Sequence, residues 1–106
     1  MANEIIVLVT CGTPKEAKRI AHALVEKRLA SCVNVATTPV ESIYLWKEKV
    51  ETANEYLLII KTTQRKFAPL QREIHRLHSY EVPEIIALPV SAGSPAYLRW
   101  LAESVR

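Results

Sequence analysis

The chain lacks most of the features that usually announce a chemistry. It has two glycines and two cysteines in 106 residues. No glycine-rich loop is present to cradle a phosphate. No Cys-x-x-Cys pair occurs, which removes zinc-ribbon, iron–sulfur and thioredoxin-like readings for want of ligands. Two cysteines make no disulfide framework, and Cys11 and Cys32 read as free thiols in a reducing compartment. No apolar run approaches the roughly 20 residues of a membrane span. The start, Met1-Ala2-Asn3-Glu4, lacks the basic region of a signal peptide. No Ser/His/Asp set stands in a supporting motif, and no repeat, linker or low-complexity segment is visible. These absences lead us to expect a cytoplasmic protein with no membrane partner and no catalysis.

What is present is an ordinary folding composition, with 49% apolar and 24% charged residues. The length predicts one domain over residues 1–106. The net charge of +3 is mildly basic, but cations and carboxylates alternate, as in Glu26-Lys27-Arg28 and Lys47-Glu48-Lys49. A nucleic-acid footprint needs clustered cations, so no nucleic-acid partner is expected.

The run Glu4 to Cys11 is nearly all apolar or β-branched and predicts a strand buried on both faces. Thr13-Pro14-Lys15-Glu16 then opens a helix, with Thr13 as cap, Pro14 in the first turn and Glu16 completing a capping box. Its apolar stripe runs from Ala17 to Val25, and the helix is expected to end near Leu29 or Ala30. Strand character resumes over Ser31–Val35, breaks at Thr37-Thr38-Pro39, and continues over Val40–Trp46. Pro39 is confined to an edge, a bulge or a bend. A hairpin tip at Lys47-Glu48-Lys49 returns the chain to a strand at Tyr56–Lys61. Phe67, Leu70, Ile74 and Leu77 stripe a second helix. Glu84–Val90 gives a further strand and Ser94-Pro95 starts a terminal helix.

This order of strands and helices is the split βαβ pattern of an α+β, ferredoxin-like sandwich with an extra C-terminal helix. Its two long helices should cover one face of a four-stranded antiparallel sheet. The other face ought then to turn polar, yet Ile5–Val9, Ile43–Trp46 and Tyr56–Ile60 are apolar at successive positions. The terminal helix covers part of that face, and the remainder predicts an oligomer.

Several segments in order spell a family: Leu24 to Asn34, Ser42-Ile43-Tyr44-Leu45-Trp46, Ile60-Lys61-Thr62, His78 to Ile86, and Tyr97-Leu98-Arg99-Trp100-Leu101. Together they resemble the CutA family of divalent-cation tolerance proteins, from about Val7 to Leu101. The resemblance implies a ferredoxin-like subunit in a homotrimer like that of the PII signal proteins, with clefts between subunits and copper binding. It implies no reaction. Three positions depart from the family pattern. Glu48 stands where a glycine is usual, which questions the hairpin geometry. Ser79 replaces a proline, which is expected to loosen the loop. Leu77 replaces a second histidine present in some members.

Cys11 reads either as a small buried hydrophobe at a strand end or, as the resemblance implies, as a metal ligand whose pKa a helix N-terminus would lower. Cys32 reads as core, His22 as a surface residue, and His75 as solvated or interfacial. The segment His78-Ser79-Tyr80-Glu81-Val82-Pro83-Glu84 gathers an imidazole, a phenol and two carboxylates in one aperiodic loop. Lys61 is expected to bring an ammonium towards Tyr80, Glu81 and Glu84 in an intersubunit cleft. The loop reads equally as a site and as a polar lock. The metal candidates are therefore Cys11 and His78, with copper(II) or another divalent cation as a non-obligatory ligand. Two other classes lack their signatures. A small enzyme of the acylphosphatase kind needs an arginine in the loop after the first strand, which Cys11-Gly12-Thr13-Pro14 does not offer. A ferredoxin-like RNA module needs aromatics on the third strand, absent from Tyr56–Lys61. A PII-like regulator binding a nucleotide or metabolite is the alternative that fold analogy supplies.

Overall fold

A computed structural model of the chain describes residues 3–106. Strand β1 (Glu4–Cys11) pairs antiparallel with β4 (Lys49–Thr63) on one side and with β5 (Ile86–Pro89) on the other. The far side of β4 carries β2 (Cys32–Val35) and, farther along, β3 (Val40–Trp46). The order β2-β4-β1-β5 is that of a ferredoxin-like sheet, with the expected second strand split in two. The split falls at Pro39, on the sheet edge, where a missing N–H costs no ladder bond.

Alternation explains the core. Ile5, Val7, Val9 and Cys11 of β1 point to one face with Leu58 and Ile60 of β4, and all are buried. Helix α1 (Pro14–Glu26) lays Ala17, Ile20 and Leu24 on that face, and α2 (Phe67–Leu77) adds Leu70 and Ile74. Fully burying one such aliphatic side chain contributes about 1.5–3 kcal/mol. The opposite face is apolar too. Helix α3 (Pro95–Ser104) packs there against β4 and β1, burying Leu101, and Ser31 Oγ donates to the Leu101 carbonyl. Ile86 and Leu88 of β5 stay about half exposed on the sheet.

Three local outcomes differ from the sequence reading. Helix α1 stops at Glu26, short of Leu29, because Arg28 turns left-handed at φ 57°. The Arg28 and Leu29 amides then donate to the Val25 and Leu24 carbonyls, closing a Schellman cap. Strand β4 begins at Lys49, not Tyr56, so β3 and the first part of β4 form a protruding hairpin arm, and the molecule measures 43 × 26 × 25 Å. Strand β5 begins only at Ile86. The arm tip is a two-residue turn with Lys47 at φ 51° and Glu48 at φ 68°. Glu48 thus holds the left-handed shape that a glycine would take freely, and the hairpin geometry survives the departure.

Candidate functional site

The chemistry-bearing residues gather at the C-terminal end of β1. Cys11 ends the strand, Glu16 stands in the first turn of α1, and His78 caps the C-terminus of α2 with extended backbone (φ −78°, ψ 141°). One ligand-type atom from each of these three lies within 4.8 Å of the others. The structure therefore brings the two expected metal candidates, Cys11 and His78, together and adds Glu16.

Two of the three are already engaged. His78 Nε2 lies 2.8 Å from the Thr10 carbonyl oxygen, and Nδ1 accepts from the Tyr80 amide at 3.1 Å. A carbonyl only accepts, so Nε2 carries the proton and the ring is the neutral Nε2–H tautomer. The Tyr80 ring lies against it at a centroid distance of 4.7 Å. Glu16 takes the Ser79 amide at 2.6 Å and the Ser79 hydroxyl at 3.1 Å. Thr13 Oγ1 accepts the Glu16 amide as a helix cap should, but the Glu16 side chain reaches Ser79 and not back to Thr13. Only half of the expected capping box forms. The same contact reverses the expectation for Ser79: a proline has no N–H to give Glu16, so the serine ties this loop down.

Cys11 is fully buried, and burial, followed by the nearby charges of Glu16 and Glu55, pushes its thiol up to about 12. Desolvation overrides the lowering expected from the helix N-terminus. Lys61 does not join the group within one chain. It pairs with Ile6, whereas Cys11 pairs with Tyr56, which separates the two by roughly 17 Å of strand. His22 and His75 are exposed, as their helix positions suggested.

Beside this group opens a cavity of about 560 Å³ between the loop after α2 and strand β3 of the arm. Tyr80, Glu81 and Glu84 line it, joined by Tyr44, Trp46 and Glu55, which the sequence reading had not placed in a site. Glu55 is only 7% exposed, and its Oε2 accepts the Tyr80 hydroxyl at 2.8 Å. Burial, and then the bond to Glu55, raises the Tyr80 phenol above its ordinary range, so it remains a donor at neutral pH. Burial also raises the Glu84 carboxyl, with Glu55 adding to it. Gly12 makes room for this packing, since a Cβ there would meet Tyr80 Oη at 3.3 Å. The signal for Glu55 was available: a lone carboxylate abuts the buried run Tyr56 to Ile60.

The fold and this junction define a ferredoxin-like protein with a thiol–carboxylate–imidazole group of metal-ligand type. The chain belongs to the CutA1 divalent ion tolerance protein family, whose model matches residues 5–104. It is 46% identical over 101 residues to the divalent-cation tolerance protein CutA of Thermus thermophilus, covering 95% of this chain and 97% of that one. The chloroplastic CutA of Arabidopsis thaliana is 44% identical over 102 residues, covering 96% of this chain but 56% of the plant protein. The chain thus spans about half the length of that plant relative and nearly all of the bacterial one. The solved structure of the Thermus thermophilus protein superposes with a TM-score of 0.94 at 45% identity, covering 97% of this chain and 99% of that one. The family description names tolerance to divalent ions and no reaction. No helix among the described residues is long and apolar enough to cross a membrane.

Proposed function

We propose that the protein is a non-catalytic, homotrimeric cation-binding protein of the cytoplasm, acting as one domain over residues 1–106. The observation that carries the cation role is the convergence of Cys11, Glu16 and His78 within 4.8 Å. A thiol, a carboxylate and an imidazole suit copper, which stands highest among divalent ions in affinity for such sets. His78 must give up one of its two hydrogen bonds, and Cys11 its proton, before either serves as a ligand. Binding at this group is therefore weak, and weaker in acid, because protons compete with the metal for its ligand atoms. The trimer rests on the apolar face and arm that the chain leaves uncovered, with Ile43 67%, Leu45 74% and Val50 72% exposed. A trimer is also what allows Lys61 of one copy to approach Tyr80, Glu81 and Glu84 of another. A nucleic-acid partner is not part of this reading, because the cations alternate with carboxylates, as in Glu26-Lys27-Arg28 and Lys47-Glu48-Lys49.

Titration calorimetry with copper(II) on the wild type and on His78→Ala, Cys11→Ser and His75→Ala tests the cation reading. His78→Ala is expected to abolish the binding and His75→Ala to leave it unchanged. Equal binding by wild type and His78→Ala overturns the assignment. Sedimentation equilibrium tests the assembly, and a stable monomer at micromolar concentration refutes it.

A further inference from the structure

A second cavity, also of about 560 Å³, lies at the opposite end of β4 from the arm. Its volume is that of a small-molecule pocket. Glu4, which opens β1, and Thr63, which ends β4, are direct cross-strand partners, so their side chains share a face of the sheet. Ala102 of α3 and Arg106 just beyond it line the cavity with them, and Arg65 joins from the short 3-10 turn Gln64–Lys66. None of these residues lies on the arm, in the loop after α2 or among the exposed apolar side chains given to a second copy in the proposed trimer.

Thr63 supplies the first observation. It is 7% exposed, and its hydroxyl is the one buried side-chain oxygen or nitrogen without a hydrogen-bond partner among the described residues. Thr62 beside it donates to the Leu29 carbonyl at 2.7 Å. A native fold rarely leaves such a hydroxyl idle unless a water, an ion or a ligand completes it. The charges supply the second observation. Arg65, Arg106 and Glu4 line one cavity, yet the two ion pairs among the described residues both end on Glu73. Opposite charges thus stand around one cavity without pairing. A guanidinium presents a fork of N–H donors that matches a carboxylate, and a carboxylate accepts from an ammonium. An anion alone would meet Glu4, and an amine alone would meet two arginines. A molecule carrying both charges suits all three walls.

We propose that this cavity binds a small zwitterion of the α-amino-acid kind, its carboxylate on Arg65 and Arg106, its ammonium on Glu4, and the Thr63 hydroxyl completing the floor. The site uses none of Cys11, Glu16 and His78, so it stands or falls apart from the copper reading.

The test is titration calorimetry, supported by ligand-observed NMR, with four probes: L-serine, its methyl ester, N-acetyl-L-serine and inorganic phosphate. The ester lacks the carboxylate and the N-acetyl compound lacks the ammonium. L-serine is expected to bind, and each blocked form about tenfold more weakly, the loss of one charge-assisted contact. Arg106→Gln, at the exposed end of the chain, is expected to weaken L-serine several-fold and to leave the ester unchanged. Glu4→Gln is expected to weaken L-serine and to strengthen N-acetyl-L-serine, because it removes an attraction for one and a repulsion for the other. A merely structural role for Glu4 would move both probes the same way. Thr63→Val is expected to weaken L-serine while raising the urea midpoint, since it removes an unpaired buried hydroxyl at nearly constant shape. Blocked forms binding as tightly as L-serine overturn the proposal. Phosphate binding more tightly than L-serine does so as well, because the cavity would then be a plain anion site. So does the absence of any binding at roughly 10 mM L-serine, the result expected if Glu4 closes on the arginines in solution.

Discussion

Strand β4 passes through two different surroundings. From Glu55 to Thr63 it lies inside the sheet, where Leu58 and Ile60 are fully buried under α1 and α2. From Lys49 to Asn54 it runs out along the arm, paired only with β3, and Val50 is 72% exposed. The inner stretch carries Tyr56-Leu57-Leu58-Ile59-Ile60, and the outer one a single large apolar residue, Val50. The inner stretch has a covering layer from this chain, whereas Val50 on the outer one has none. Backbone pairing carries the strand through both environments, but apolar burial holds only the inner half. The inner half is a finished core, and the outer half is the surface that would meet another copy in the trimer proposed above.

The sharpest way to break that contrast is to delete the same group from the layer under the inner half and from the strand beside the outer half. Leu24→Ala opens a cavity under the sheet and should cost about 2–5 kcal/mol in urea unfolding. Leu45→Ala on the arm should change the unfolding of the dissociated chain by less than about 0.5 kcal/mol. It should instead lower the mass seen in sedimentation at limiting concentration. If both substitutions destabilise the dissociated chain equally, the arm is folded against its own subunit and the contrast is wrong.

Next in size comes the polar junction where the two halves meet. Ser79→Pro removes an amide and a hydroxyl that both end on Glu16. A loss of about 0.5–1.5 kcal/mol in unfolding free energy is expected, because the bonds are exposed and water takes up the freed carboxylate. An unchanged midpoint would show that the loop is held by the packing of Tyr80 alone.

The fold was legible because its signals were local. The two-faced apolar runs, Thr13-Pro14 and the helical stripe of Phe67, Leu70, Ile74 and Leu77 each fixed an element before any tertiary contact mattered. The junction was only half legible. Cys11 and His78 announced themselves by residue type, but Glu16 looked like a helix cap until Ser79 competed for it. Glu55 and Trp46 lie far from His78 in sequence, and nothing local brings Glu55 to the Tyr80 hydroxyl or Trp46 to the same cavity. The end of α1 was misplaced for another reason. A Schellman cap is normally marked by glycine, and here Arg28 takes the left-handed position unannounced.

Acid should separate the inner half from the junction. Glu73 takes both Arg76 nitrogens, at 3.1 and 2.6 Å, and that pairing, with Lys27 second, holds its carboxyl at about 2 against an ordinary 4.5. Below pH 4.5 the unfolded chain binds a proton at this residue that the folded chain refuses. The stabilisation is therefore complete above pH 4.5 and is lost as the pH falls towards 2. Glu84 acts in the opposite sense, because its raised carboxyl is more readily protonated in the folded chain. Urea midpoints of wild type and Glu73→Gln should converge as the pH drops through this window. Parallel curves would show that the pair contributes nothing.

The smallest expected effect sits at the far end of the arm. Lys47 and Glu48 both hold left-handed backbone, the conformation of a type I′ turn, whose preferred second residue is glycine. A side chain costs about 1–2 kcal/mol in that region. Replacing it by glycine recovers part of this, but the unfolded chain gains freedom worth about 0.4–1 kcal/mol in the other direction. Glu48→Gly should therefore stabilise the arm by a net of about 0.5 kcal/mol or slightly more. The gain should appear as slower amide exchange along Val40–Trp46 and Lys49–Asn54, with exchange of Val7, Leu58 and Ile60 unchanged. That pattern would confirm that the arm opens independently of the core. A gain spread evenly over both would mean that the two halves of β4 open as one unit.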